Sequence, residues 1–145
     1  MRALLVMLVV ILVAGACSDT VSDKAVEDVL ARCEDVPRAT LDLIETGLTI
    51  DNGALSNGSA VKSDYGETLW IVAAQVNGDG FDGGRYVGIW AMVDGIEESE
   101  IRGIAAVDDF SREISTWGED LGREISSLID GVSAAQACVI AEQAG

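Results

Sequence analysis

Leu69-Trp70-Ile71-Val72-Ala73-Ala74 and Tyr86-Val87-Gly88-Ile89-Trp90-Ala91-Met92-Val93 decide the fold. Both runs are apolar at odd and even positions alike, so neither leaves a face suited to water. Because successive side chains on a strand point to opposite faces, such runs read as central strands covered on both sides. Between them, Asn77-Gly78 and the glycines up to Gly84 supply the flexible connection that joins antiparallel neighbours. Further turn signals at Asp51-Asn52-Gly53, Asn57-Gly58 and Asp94-Gly95 set off three shorter strands, at 48–50, 59–63 and 102–107. The expected sheet is therefore an antiparallel meander of four or five strands, with 68–76 and 85–93 at its centre and 59–63 and 102–107 at its edges.

Outside this region the period lengthens to that of a helix. Val26, Val29, Leu30 and Cys33 recur at i, i+3, i+4 and i+7, which predicts a helix over 22–34 capped by Ser22 or Asp23. Pro37 suits the first turn of a second helix, through Leu41, Leu43 and Ile44 to a stop at Gly47. Asp108 can cap a short helix carrying Phe110, Ile114 and Trp117, with Gly118 as its stop. A last helix carries Val132, Ala135, Cys138 and Val139, with Asp130 or Ser133 as cap. The fold class is α+β, a sheet flanked by N-terminal and C-terminal helices.

At 145 residues and 15.2 kDa the chain is the size of one domain. Its 25 Asp and Glu against 9 Lys and Arg give a formal charge of −16. That balance excludes nucleic acid as a partner, since such affinity comes from basic side chains releasing counterions from phosphates. It also repels anionic lipid and holds the domain off a membrane surface. The chain has no His, which removes Ser-His-Asp and Cys-His nucleophile systems and every His-containing zinc site.

The N-terminus reads as an address. After Met1-Arg2, the stretch from Ala3 to Ala16 has no charged side chain and ends in Val13-Ala14-Gly15-Ala16-Cys17. It is shorter than the ~20 residues that cross a bilayer and suits a cleaved signal peptide over 1–16. The small residues before Cys17 resemble the lipobox of bacterial lipoprotein signals, although Ala14 stands where Leu is usual. That resemblance implies a diacylglyceryl, palmitate-type modification of Cys17, a tether over 17–21 and a domain over 22–145 on the outer face of the cell membrane. Two acyl chains give stable anchoring. Plain secretion is the alternative.

With Cys17 assigned to lipid, Cys33 and Cys138 remain, 105 residues apart. In an oxidising compartment such a pair reads as a disulfide tying the start of the domain to its end. A redox pair or a metal site would call for Cys-x-x-Cys or His, and the chain has neither.

Several constellations invite chemistry and have a simpler reading. Asn77-Gly78-Asp79-Gly80-Phe81-Asp82 resembles a calcium loop, but Phe81 takes a ligand position and Gly88 stands where Glu belongs; a hairpin loop is the simpler account. Asp94, Glu97, Glu98 and Glu100 read as a solvated connection. Ser59, Lys62 and Ser63 suggest a Ser-Lys dyad, yet strand residues three apart face opposite ways. Trp70, Tyr86, Trp90 and Met92 form a candidate ligand or partner surface: the last three share a parity with bare Gly88, which would leave a gap in the apolar face. Packed core is the competing account.

The segments Gly47-Leu48, Val61-Lys62-Ser63, Ile71-Val72-Ala73-Ala74, Val87-Gly88-Ile89-Trp90-Ala91, Phe110-Ser111-Arg112-Glu113-Ile114-Ser115-Thr116-Trp117 and Ala137-Cys138 resemble a family of small uncharacterised actinobacterial lipoproteins. The resemblance implies location and fold, without a mechanism. The expected role is a non-enzymatic binding or interaction module of the cell envelope, taking an envelope protein or an apolar ligand as partner and no cofactor or metal. The alternative is an envelope enzyme of unrecognised, carboxylate-based type.

Overall fold

A computed structural model describes residues 20–81, 83–118 and 125–145. The elements follow in the order α1 (Thr20–Leu30), β1 (Glu34–Asp35), α2 (Arg38–Glu45), β2 (Ala54–Lys62), β3 (Leu69–Asn77), β4 (Tyr86–Val93), β5 (Gly103–Ala106), α3 (Asp109–Ile114) and α4 (Val132–Ala144). The five strands form one open antiparallel sheet in sequence order. Helices cover both faces, which is why the central strands carry no polar parity. Leu69, Ile71 and Ala73 of β3 join Ile89 and Ala91 of β4 under α4, whose Ala135, Cys138 and Val139 close that core. The other parity, Val72, Ala74, Val76, Trp90 and Met92, packs beneath Leu41 and Ile44 of α2 and Ile114 of α3.

The second strand departs from expectation. β2 runs nine residues and lies inside the sheet, paired with β3 along its length and with the two-residue β1 at Ala60 and Ser59. Asn57-Gly58, which reads as a turn, is instead a bulge between Ser56 and Ser59, with Asn57 at φ 47°. An inserted residue bends a strand without ending it. Beyond β1, side chains close the sheet edge: Arg38 donates to the Leu55 carbonyl at 2.7 Å, and Glu45 accepts from the Leu55 amide at 2.6 Å. Unpaired edge groups are thereby withheld from other chains. The stretch 48–50 contributes a single bridge, Leu48 with Ser115.

Helix boundaries also shift. α1 starts two residues before its expected cap and stops at Leu30. Pro37 disfavours helix at Val36, and Glu34 and Asp35 are drawn into pairing with β2, so Cys33 sits just past the helix. α3 carries the Asp108 cap, whose carboxylate accepts from the Ser111 amide at 3.1 Å, and ends at Ile114. Trp117 lies beyond it, where its indole donates to the Ile44 carbonyl at 2.8 Å. The α4 cap is neither Asp130 nor Ser133 but Gly131, at φ 95°. The Asp130 carboxylate is engaged by Arg32.

Candidate functional site

The cysteine pair is joined. Cys33 and Cys138 form a disulfide with Cα atoms 5.9 Å apart, linking the end of α1 to the middle of α4. Cys17 lies outside the described residues.

The aromatic quartet is split by the fold. Trp90 and Met92 have no exposed surface. The Trp90 ring leans along β4 over Gly88, where a Cβ would stand 2.3 Å from its Cη2. Gly88 therefore marks no gap: it is bare because the indole two residues on occupies its space. The Trp90 indole N–H points to the Ser115 hydroxyl at 3.4 Å, which in turn donates to the Ser111 carbonyl at 2.6 Å. Trp70 is half-buried on the same face, with the Lys62 ammonium 6.0 Å from its ring centroid.

Tyr86 goes elsewhere. It is 43% exposed at the start of β4 and packs against Phe81 of the β3–β4 connection and Phe110 of α3. Ring centroids are 5.2 Å apart for Phe81 and Tyr86, edge to face, and 5.8 Å for Tyr86 and Phe110, stacked. Phe81 and Phe110 are 5.7 Å apart. Aromatic pairs in these arrangements stabilise by about 0.5–1.5 kcal/mol beyond their burial, so the three rings form one firm, part-exposed platform. Beside it the connection is bare: Gly80 and Gly83 lie at φ 88° and 92°, with open space around Gly80. Sequence reasoning places Phe110 on a helix stripe and reads Phe81 only as a misfit in a calcium loop. The periodicity of α3 points Phe110 toward the sheet, but nothing local indicates that Phe81 folds back onto it.

A second cluster lies at the opposite end of β3. Arg32 forks onto both Asp130 oxygens at 3.1 and 2.6 Å and donates to the Lys62 carbonyl at 3.1 Å. The Asp64 amide donates to Asp130 at 3.0 Å, and the Ser63 hydroxyl to the Asp130 carbonyl at 2.7 Å. The Arg32 hydrogen bonds, helped by the Asp64 amide, hold the Asp130 carboxyl down at about 2. Asp130 in turn raises the Arg32 pKa above its ordinary value. An open groove of about 480 Å³ beside them is lined by Lys62, Ser63, Asp64, Gly66 and Glu67. No sequence signal pairs Arg32 with Asp130, 98 positions apart.

The remaining candidates stay apart. Ser59 donates to Glu142 at 2.8 Å on the α4 face, whereas Lys62 sits over Trp70 on the other. Asp94, Glu97, Glu98 and Glu100 are exposed on the β4–β5 connection. Asp79 accepts from the Asn52 amide group at 3.2 Å.

Compared with known proteins, the chain matches no family model, no curated protein and no solved structure.

Proposed function

We infer that the chain is an exported interaction module, held at the outer face of the cell membrane through lipid on Cys17, which engages a protein partner through its Phe81–Tyr86–Phe110 end. The observation that carries this reading is the division of the aromatic face. Trp90 and Met92 are spent on the core, while Tyr86 is held half-exposed by two further rings. Aromatic side chains presented on a rigid scaffold give contact area with little entropy left to lose, and they are enriched at the centres of protein interfaces. The filled space over Gly88 argues against an apolar small molecule in the sheet, so the reading moves to a surface partner. The N-terminal sequence supports export and anchoring through the match of 13–17 to a lipobox.

A photo-crosslinking amino acid at Tyr86, in cells making the full chain, should give one dominant protein adduct. The same probe at exposed Ser133 of α4 should not. Phe110→Ala should weaken the Tyr86 adduct; identical patterns from both positions would remove the assignment. Intact mass tests the anchor separately. A mature chain in the medium with an unmodified N-terminus would show secretion instead.

A further inference from the structure

The rings of Phe81, Tyr86 and Phe110 stand among carboxylates. Phe81 shares a tight turn with Asp79, its amide donating to the Gly78 carbonyl at 2.9 Å. The Asp79 amide donates to the Asp51 carbonyl at 3.0 Å, which draws the α2–β2 connection to the same turn. Asp108 and Asp109 directly precede Phe110, and Glu113 follows it by three residues, on the same side of α3. Asp51, Asp79, Asp109 and Glu113 are exposed, and Asp108 is half-buried as the helix cap.

Two guanidiniums share this end. Arg85, beside Tyr86, lies against Gly83, where a Cβ would stand 3.9 Å from its Nε. Arg112 donates to the Ile125 carbonyl at 3.1 Å and reaches Asp109 at 3.4 Å. The surroundings of the platform therefore carry an excess of negative charge, on a chain whose formal charge is already −16. A partner of the same sign would be repelled, and one of opposite sign is steered to it.

Ring orientation narrows the ligand further. Phe81 stands at 82° to Tyr86 and 56° to Phe110, so the three rings share no plane across which a sugar or a base could lie flat. A stepped apolar surface among carboxylates suits a guanidinium, which stacks on an aromatic face while its N–H groups donate to carboxylates. The chain makes a related pairing within itself at the opposite end of β3, where the Lys62 ammonium is 6.0 Å from the Trp70 centroid. Gly80, exposed with open space around it, leaves room for another backbone to approach. We propose that the protein partner meets the platform with a basic segment, an arginine held by the Tyr86 ring and the carboxylates about it, with an apolar neighbour resting on the other rings. The proposal rests on the partner reading above and adds the partner's chemistry.

The test uses the full chain, isotope-labelled for NMR in a non-ionic detergent, and two blocked peptides, one of alternating leucine and arginine and one with citrulline, the neutral isostere, for arginine. Amide signals of 78–81, 85–87 and 109–113 should shift saturably with the arginine peptide, and citrulline should raise the dissociation constant about ten-fold. Asp79→Asn with Asp109→Asn, and separately Tyr86→Leu, should each weaken the arginine peptide about three- to five-fold. Glu97→Gln with Glu98→Gln removes the same charge on the β4–β5 connection and should leave the affinity unchanged. Equal affinity for the citrulline peptide, or equal loss in the two double variants, would overturn the basic assignment. So would a Tyr86 photo-adduct in cells that is undiminished by Asp79→Asn with Asp109→Asn, and the partner reading would then stand alone. Absence of any Tyr86 adduct would overturn that reading and this proposal with it.

Discussion

Gly88→Ala measures whether the core under α2 and α3 is closed. The added methyl would stand 2.3 Å from Trp90 Cη2 and 2.8 Å from Cζ3, well inside van der Waals contact. Because the indole is fully enclosed, it can yield only by displacing its neighbours, and overpacking of this kind costs about 1–3 kcal/mol. Trp90→Ala alone removes the ring and leaves a cavity, at about 3–5 kcal/mol. With the ring absent, the same methyl at 88 enters empty space and should cost nothing, or return a few tenths by replacing a strand glycine. The two substitutions should therefore couple favourably by about 1–3 kcal/mol in a double-mutant cycle. Urea denaturation of the four proteins, followed by far-ultraviolet circular dichroism, gives the values. Additive costs, within about 0.5 kcal/mol, would mean that Trp90 does not occupy the space over Gly88. The surface-partner reading would then give way to a ligand pocket.

Acid should weaken the fold through Asp130. Its folded value of about 2 lies below its ordinary 3.8, so its contribution is complete above pH 4 and lost as pH falls from 4 toward 2. Since the pair is over a third exposed on the Asp130 side, that contribution is discounted to about 1 kcal/mol, and Asp130→Asn should remove this part of the pH dependence in acid titration of stability. Cys33→Ser with Cys138→Ser should cost about 4–5 kcal/mol by the chain-entropy argument, and hydrogen exchange should show 20–32 losing protection before the central strands. Gly47→Ala would place a Cβ 2.2 Å from Trp117 Nε1 and break its bond to the Ile44 carbonyl, at a cost of about 2–4 kcal/mol in thermal denaturation. That cost should disappear in a Trp117→Ala background. Phe110→Ala should cost about 2–4 kcal/mol, because the ring is half-buried against two others.

The central hairpin was legible because cover on both faces makes 71–74 and 88–92 free of polar residues at either parity. β2 was legible only in its second half, 59–62, since its bulge carries Asn57-Gly58, a strong short turn signal that cut 54–56 off from the rest of the strand. The disulfide was legible by elimination once Cys17 was read as the lipid site. The platform was only half legible: alternation put Tyr86, Trp90 and Met92 on one face, but alternation assigns a side and says nothing of depth. Trp90 went to the core and Tyr86 to the surface because helices cover the middle of the sheet and leave its end open. Contacts such as Arg32 with Asp130 and Gly47 with Trp117 join residues separated by most of a domain, and no local pattern carries them.

The Cys33–Cys138 bond also decides how the domain bears tension. If Cys17 is fixed in a membrane and a partner pulls at Tyr86, a chain without the bond would fail by unzipping. α1 would peel away first, then the two-residue β1, one hydrogen bond at a time from the sheet edge. With the bond in place, peeling halts at Cys33 and the pull passes sideways into α4, which lies across β2, β3 and β4. Force then meets many contacts in parallel instead of a few in series, and only α1, which lies between Cys17 and Cys33, is left to yield before the sheet.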